Sequence, residues 1–274
     1  MTFASIMVHV DFDEQVEERV DIAAGLASRF NAALIGVAGW PLRQSGVLEP
    51  SGVEFPPREE ARQCKISQQL DALGQRFRAS AGANPRGVEW RASHHFPSEV
   101  IAAQARAADL IVIGREPLPG DVYHTFDPGA VILACGRPVL VVPRGTRRLQ
   151  AERILIAWKD TREARRAVHD ALPFLKKAQA VAVVAVGPPD LAQGAREDVA
   201  DLARYLERYQ IAVEQSAVTS SHEPDGDVLL RLAEEQRADL IVAGAYGRSR
   251  LSEWIFGGVT RELLRKSKGH RKRA

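Results

Sequence analysis

Ala238-Asp-Leu-Ile-Val-Ala-Gly244-Ala-Tyr-Gly247-Arg-Ser-Arg-Leu-Ser-Glu-Trp-Ile-Phe-Gly257-Gly258-Val259-Thr260 is the stretch from which the rest of the chain is read. Its first six residues form a short apolar run, the mark of a buried strand. After it comes Arg261-Glu-Leu-Leu-Arg-Lys266, a run of good helix formers. Between strand and helix lies a loop punctuated by glycine. Gly244 and Gly247 permit backbone angles closed to other residues and let a ligand approach the main chain. Gly257 and Gly258 stand at the helix start, where unpaired N–H groups and the positive dipole end favour an anion. Val259 and Thr260 follow, and the hydroxyl of Thr260 adds one donor. The stretch has the form of a phosphate cradle, although glycines also serve simply to turn a chain.

Working outward, the strand has a twin. Ala108-Asp-Leu-Ile-Val112 recurs as Ala238-Asp-Leu-Ile-Val242, and glycine follows one residue later each time. Ile6-Met-Val-His-Val-Asp-Phe-Asp13 aligns likewise with Ile154-Leu-Ile-Ala-Trp-Lys-Asp-Thr161. Strands are expected at 6–10, 32–37, 88–91, 108–113 and 138–142, with helices at 13–29, 58–80, 97–107 and 128–134. A second set of strands is expected at 154–158, 180–186, from 211, and at 238–243, with helices at 162–176, 191–209 and 226–236. Residues 39–57, rich in proline and glycine, read as a long loop. Two copies of one strand–helix unit imply a tandem fold. Near-continuous apolar strands alternating with helices imply an α/β fold of doubly wound parallel sheets. Ligands of such sheets bind beyond the carboxyl ends of the strands, where strand order reverses. Asp11, Trp158, Lys159, Asp160, Val186, Ala243 and Gly244 all fall at those ends.

The spacing Gly244-x-x-Gly247, nine residues, then Gly257-Gly258-Val259-Thr260 resembles the nucleotide-binding signature of the universal stress protein family. The resemblance extends over nearly the whole chain as two consecutive domains, 1–144 and 152–267, followed by a basic tail, 268–274. It implies a parallel sheet of order 3-2-1-4-5 in each domain. It also implies ATP, with Mg, lying over strands 1 and 4. An Asp at the end of strand 1 would contact the adenosine, and the glycine loop after strand 4 would hold the phosphates.

Each half departs from that pattern once. In the first, Asp11 matches the strand-1 acid, but Gly114-Arg-Glu-Pro117 places proline where the second glycine belongs, which removes an amide donor. This half is not expected to hold a triphosphate in the usual way; it either binds another small ligand or is a pseudo-domain. In the second half the loop matches through Gly244, Gly247, Arg248, Gly257, Gly258, Val259 and Thr260, with Gly258 where the family usually has Ser or Thr. There Lys159 occupies the register of the acid and Asp160 follows one place later. Lysine cannot accept a hydrogen bond, so Lys159 either meets a phosphate or is a solvated strand-end residue. No fifth strand is expected after Lys266, which leaves strand 4 of the second sheet at an edge.

The totals agree with this reading. The chain has 274 residues, 45% hydrophobic and 26% charged, the balance of a globular protein with two domains. No apolar run approaches a membrane span, and the N-terminus carries no secretion signal, so a cytoplasmic location is expected. Cys64 and Cys135 give no disulfide framework. The formal net charge is +2, yet six Lys or Arg and no acid lie in residues 265–274. The body is therefore mildly acidic, and a nucleic-acid partner is not expected. His94-His95 has no carboxylate or cysteine at ligand spacing, so no metal is expected. No residue pattern marks a catalytic nucleophile or base. Three functions follow: a stress-response regulator that binds an adenine nucleotide in its second half, a nucleotide-independent module for homodimer or partner pairing, or a slow ATPase.

Overall fold

The aspartate inside the repeated Ala-Asp-Leu-Ile-Val run has the same task in both halves. Asp109 accepts hydrogen bonds from the main-chain N–H groups of Ala4 and Ser5, at 2.8 and 3.1 Å. Asp239 accepts them from Glu152 and Arg153, at 3.1 and 3.0 Å. The aspartate N–H is in turn donated to Ser5 O and to Arg153 O, each at 2.9 Å. Each aspartate thus clamps the start of one central strand to the start of its parallel neighbour. Polar main-chain groups at a strand entrance need such partners once buried.

The computed structural model describes residues 2–13, 16–41, 56–115, 126–219 and 223–245. Two compact units are present, one spanning Phe3–Arg147 and the other beginning at Arg148. The first contains β1 (Ser5–His9), α1 (Val16–Phe30), β2 (Ala33–Gly39), α2 (Pro56–Ala81), β3 (Val88–Ser93), α3 (Pro97–Gln104), β4 (Leu110–Gly114), α4 (Pro128–Ala134) and β5 (Val139–Val142). Its strands are all parallel, in the order β3-β2-β1-β4-β5. The second contains β6 (Arg153–Trp158), α5 (Arg162–Leu175), β7 (Ala180–Gly187), α6 (Ala192–Glu207), β8 (Glu214–Thr219), α7 (Asp225–Glu235) and β9 (Leu240–Ala243). Its order is β8-β7-β6-β9, again parallel. Among the described residues this sheet has four strands and no counterpart of β5; the stretch after Lys266, where the sequence leads us to expect no fifth strand, lies outside the described residues.

Central strands are buried on both faces, which is why they read as unbroken apolar runs. Met7, Ile35, Val37, Ile111 and Ile113 pack with Val100 and Ile101 of α3 and with Val131 of α4. Val20, Ala23, Leu26 and Ala27 form the buried stripe of α1. In the second unit Leu155 and Val184 pack with Leu229 and Ala233 of α7. Each large side chain so buried contributes about 1.5–3 kcal/mol.

Several boundaries differ from the sequence reading by a few residues, β9 among them, which begins at Leu240 rather than Ala238, and three have a plain local cause. The α3 helix ends at Gln104, and Ala105–Ala107 tightens into a single 3-10 turn. Ala108 and Asp109 precede β4 rather than opening it, since Asp109 is turned to its clamp. Residues 211–213 are not strand: Ile211 donates its N–H back to Leu206 O at 3.2 Å, and pairing of β8 with β7 begins at Glu214. Of the expected loop at 39–57, residues 42–55 lie outside the described residues.

Candidate functional site

Strand order reverses beside β1 and β4 in the first unit and beside β6 and β9 in the second. In the second unit the register pairs Ala157 with Ala243 and Trp158 with Ala185. Val186 pairs with Val218 one step on. Trp158, Lys159, Asp160, Val186, Ala243 and Gly244 are thereby brought to one carboxyl edge of the sheet. Trp158 is buried, and its Nε1–H has no hydrogen-bond partner among the described residues. Lys159 and Asp160 are exposed. Arg165 of α5 pairs with Asp160, Nη2 to Oδ1 at 2.7 Å. Thr161 caps α5 by accepting from Ala164 N at 3.2 Å, the usual task of a threonine at a helix start.

Gly244 has a packing reason to be glycine. A Cβ there would lie 2.5 Å from Ala164 N and 2.9 Å from Glu163 C. The end of β9 therefore runs directly against the first turn of α5, and only a residue without a side chain fits. Gly247, Arg248, Gly257, Gly258, Val259 and Thr260 lie outside the described residues.

The corresponding edge of the first unit is organised around a residue that the sequence reading passed over. Arg19, from the first turns of α1, is 6% exposed. Its Nε donates to His9 O at 2.8 Å. Its Nη2 lies 2.8 Å from Asp11 Oδ1, and Asp11 Oδ1 also accepts from Asp13 N at 3.1 Å. A Cβ added to Gly114 would collide with Arg19 Nη1, so the guanidinium lies across the end of β4 as well as that of β1. Burial pushes the Asp11 carboxyl up, but the charge of Arg19, the field of His9 and the hydrogen bonds from Asp13 N and Arg19 together hold the group below the ordinary carboxylate value. His9 is buried and stacks on Phe126, with ring centroids 4.5 Å apart. Burial lowers its pKa to about 4, against an upward pull from Asp11, while Arg19 pushes it further down. His9 is therefore neutral at pH 7. A carbonyl, a carboxylate and a neutral imidazole are what a buried guanidinium needs around it.

One signal for Arg19 was in the sequence. It lies three residues after Val16 and four before Ala23, on the apolar stripe of α1, where a charged side chain needs a buried partner. His94, at the end of the β3 region, lies with Nε2 3.4 Å from Ser67 Oγ of α2. No group of His, Cys, Asp or Glu suited to a metal occurs among the described residues. No described helix is long and apolar enough to cross a membrane.

Comparison with known proteins bears on both units. The model of the family described as "Universal stress protein family" matches residues 2–122 and 150–269. A crystal structure of a universal stress protein from Archaeoglobus fulgidus superposes with a TM-score of 0.68 at 16% identity, covering 96% of this chain and 93% of that one. A structure from Pseudomonas aeruginosa described under the same family heading gives 0.53 at 16% identity, covering 96% and 89%. A universal stress protein from Archaeoglobus fulgidus in complex with dAMP aligns over 52% of this chain and 98% of its own, at 21% identity and a TM-score of 0.33. At such identities the likeness concerns the fold. No curated protein matches the chain.

Proposed function

The chain belongs to the universal stress protein family, and from that premise we propose that it binds an adenine nucleotide, ATP with Mg, in its second unit as a stress-linked regulator in the cytoplasm. One observation carries the reading. The pairing of Ala157 with Ala243 sets Trp158, Lys159 and Asp160 beside Gly244, at the point where strand order reverses. Open parallel sheets bind their ligands at such a crevice. The residues there suit the group. The buried N–H of Trp158 has no acceptor among the described residues, a costly condition unless something accepts from it. The exposed Lys159 supplies a cation for phosphate. The glycine-rich segment 244–260 supplies main-chain donors, with Gly247, Gly257, Gly258 and Thr260 as the anion-facing positions and Arg248 beside them. Asp160, held by Arg165, is left as the acid that the family places at the end of this strand. We take the domains as 1–144 and 152–267.

Regulation follows if the phosphates order the 244–260 segment and a partner reads the ordered surface. Thermal melting with millimolar Mg-ATP tests the binding, with a Gly247→Val variant beside the parent. A ligand that binds only the folded state stabilises it by about 2.7 kcal/mol at a hundredfold excess over Kd. A higher midpoint in the parent and none in the variant supports the reading. An unmoved parent overturns it.

A second reading rests on β9, which ends the sheet among the described residues. An edge strand offers unpaired main-chain groups to another chain, so pairing into a homodimer or with a protein partner would run along it. Sedimentation that gives the same dimer with and without nucleotide would favour this module over the regulator.

A further inference from the structure

The family implies a nucleotide in each unit, and the residues of the first unit do not fit one. Arg19 occupies the place. Its guanidinium is bonded to His9 O, faces Asp11 Oδ1 and abuts Gly114. It therefore lies over the carboxyl ends of β1 and β4, the crevice at which this sheet reverses its order. One oxygen of Asp11 is already taken, because Oδ1 serves both Arg19 and the N–H of Asp13, and Oδ2 lies 3.6 Å from the buried His9 Nδ1. Among the described residues, the two cavities at this edge are small. One cavity of about 20 Å³ is bounded by Asp13, Glu18, Arg19, Gly114 and Arg144. Another, of about 10 Å³, lies among His9, Asp11, Trp40 and Phe126. Each has room for about one water, whereas small-molecule sites run to roughly 300 Å³ or more.

We propose that Arg19 is a resident cation that closes the first unit's crevice, making this unit a sealed pseudo-site that takes no nucleotide. The arginine ties α1 to the end of β1 and packs against the end of β4, the structural service a bound ligand gives in an open site. Only the second unit is then left to respond to a ligand. Unlike the binding proposed for that unit, this inference concerns residues 5–19 and 110–115, and it stands or falls independently of it.

Two measurements on the full chain test it. The first is hydrogen exchange of individual peptides with saturating Mg-ATP. Peptides covering 5–19 and 110–115 should exchange at the same rate with and without it, whatever peptides of the second unit do. Slower exchange at 5–19 that is lost in Asp11→Asn would show that Arg19 moves aside for a ligand, and would overturn the proposal. The second is chemical rescue. Arg19→Ala leaves a guanidinium-shaped hole facing Asp11, so millimolar methylguanidinium should raise its melting midpoint by a few degrees. The parent should not respond, nor should Arg19→Ala respond to sodium chloride at equal ionic strength. Absence of rescue in a folded Arg19→Ala chain would overturn the resident-cation role. If Arg19→Ala fails to fold, Arg19→Met paired with Asp11→Asn removes both charges together, a change buried pairs often tolerate. That double variant should fold without rescue by methylguanidinium, and its failure to fold would count against a role resting on the ion pair.

Discussion

In both units an arginine of the helix after the first strand reaches back to an aspartate at that strand's end, yet the two pairs differ in kind. Arg19 and Asp11 have side chains 7% and 17% exposed. Arg165 and Asp160 are 60% and 45% exposed. Charge withdrawn from water must be matched by a partner, and losing that partner leaves a buried charge with nothing to offset it. Charge that remains in water needs no partner, and its pairing adds little. Similar letters at similar places thus produce a structural bolt in one unit and a surface contact in the other. The bolt also explains why Asp11, which the sequence leads us to expect as a ligand-contacting acid, faces a side chain of its own chain.

Arg19→Ala should separate the two cases most widely. It leaves Asp11 without its cation and frees His9 O, and we expect a loss of about 3–5 kcal/mol in urea unfolding. A loss under 1 kcal/mol would mean that the first pair is no more than the second. Next in size is an acid effect centred on His9 of the first unit. The unfolded histidine titrates near 6.5, whereas His9 in the fold does so at about 4. Between these values the unfolded chain binds a proton that the folded chain refuses. The contribution is therefore complete above about pH 6.5 and falls away as pH drops to 4, by about 3 kcal/mol. Asp11, held below its ordinary value, acts in the same direction at lower pH still. Stability measured against pH in the parent and in His9→Leu isolates the histidine: the variant should lack the decline between 6.5 and 4.

The element order was legible in the sequence because each strand and helix has its own local cause. Unbroken apolar runs at Ile6–Val8 and Leu110–Ile113 fit only doubly covered strands. The duplicated Ala-Asp-Leu-Ile-Val exposed the tandem repeat before the clamp made by its aspartates was known. The carboxyl-edge position of Trp158, Lys159 and Gly244 followed from strand ends alone. Arg19 was not legible in that way, since its partners are a carbonyl ten residues back, an acid eight residues back and the end of β4. Such a cluster is created by the β1–β4 register, which no local pattern encodes. The glycine at 244 was legible as a residue but not in its cause. A ligand approaching the main chain and a helix packed against it both demand the same missing Cβ, and only the place of Ala164 in the fold reveals the second demand.

The smaller predictions sharpen the same contrast. Gly244→Ala sets a methyl against main-chain atoms of Glu163 and Ala164, which cannot move without shifting α5. A cost of about 1–3 kcal/mol is expected. Gly114→Ala meets the end of a side chain instead, so its cost should depend on what that side chain is doing. If Arg19 is fixed by its partners, Gly114→Ala should be harmful in the parent and nearly harmless in Arg19→Ala, a coupling that a double-mutant cycle reads directly. No such coupling should link Gly244→Ala to Arg165→Ala, because the colliding atoms in the second unit are backbone. Arg165→Ala itself should cost less than about 1 kcal/mol and lose most of that in high salt, since both charges stay hydrated when parted. A large, salt-insensitive loss would show that Asp160 is locked by its arginine as Asp11 is. It would also remove Asp160 as the acid left over for a ligand in the second unit.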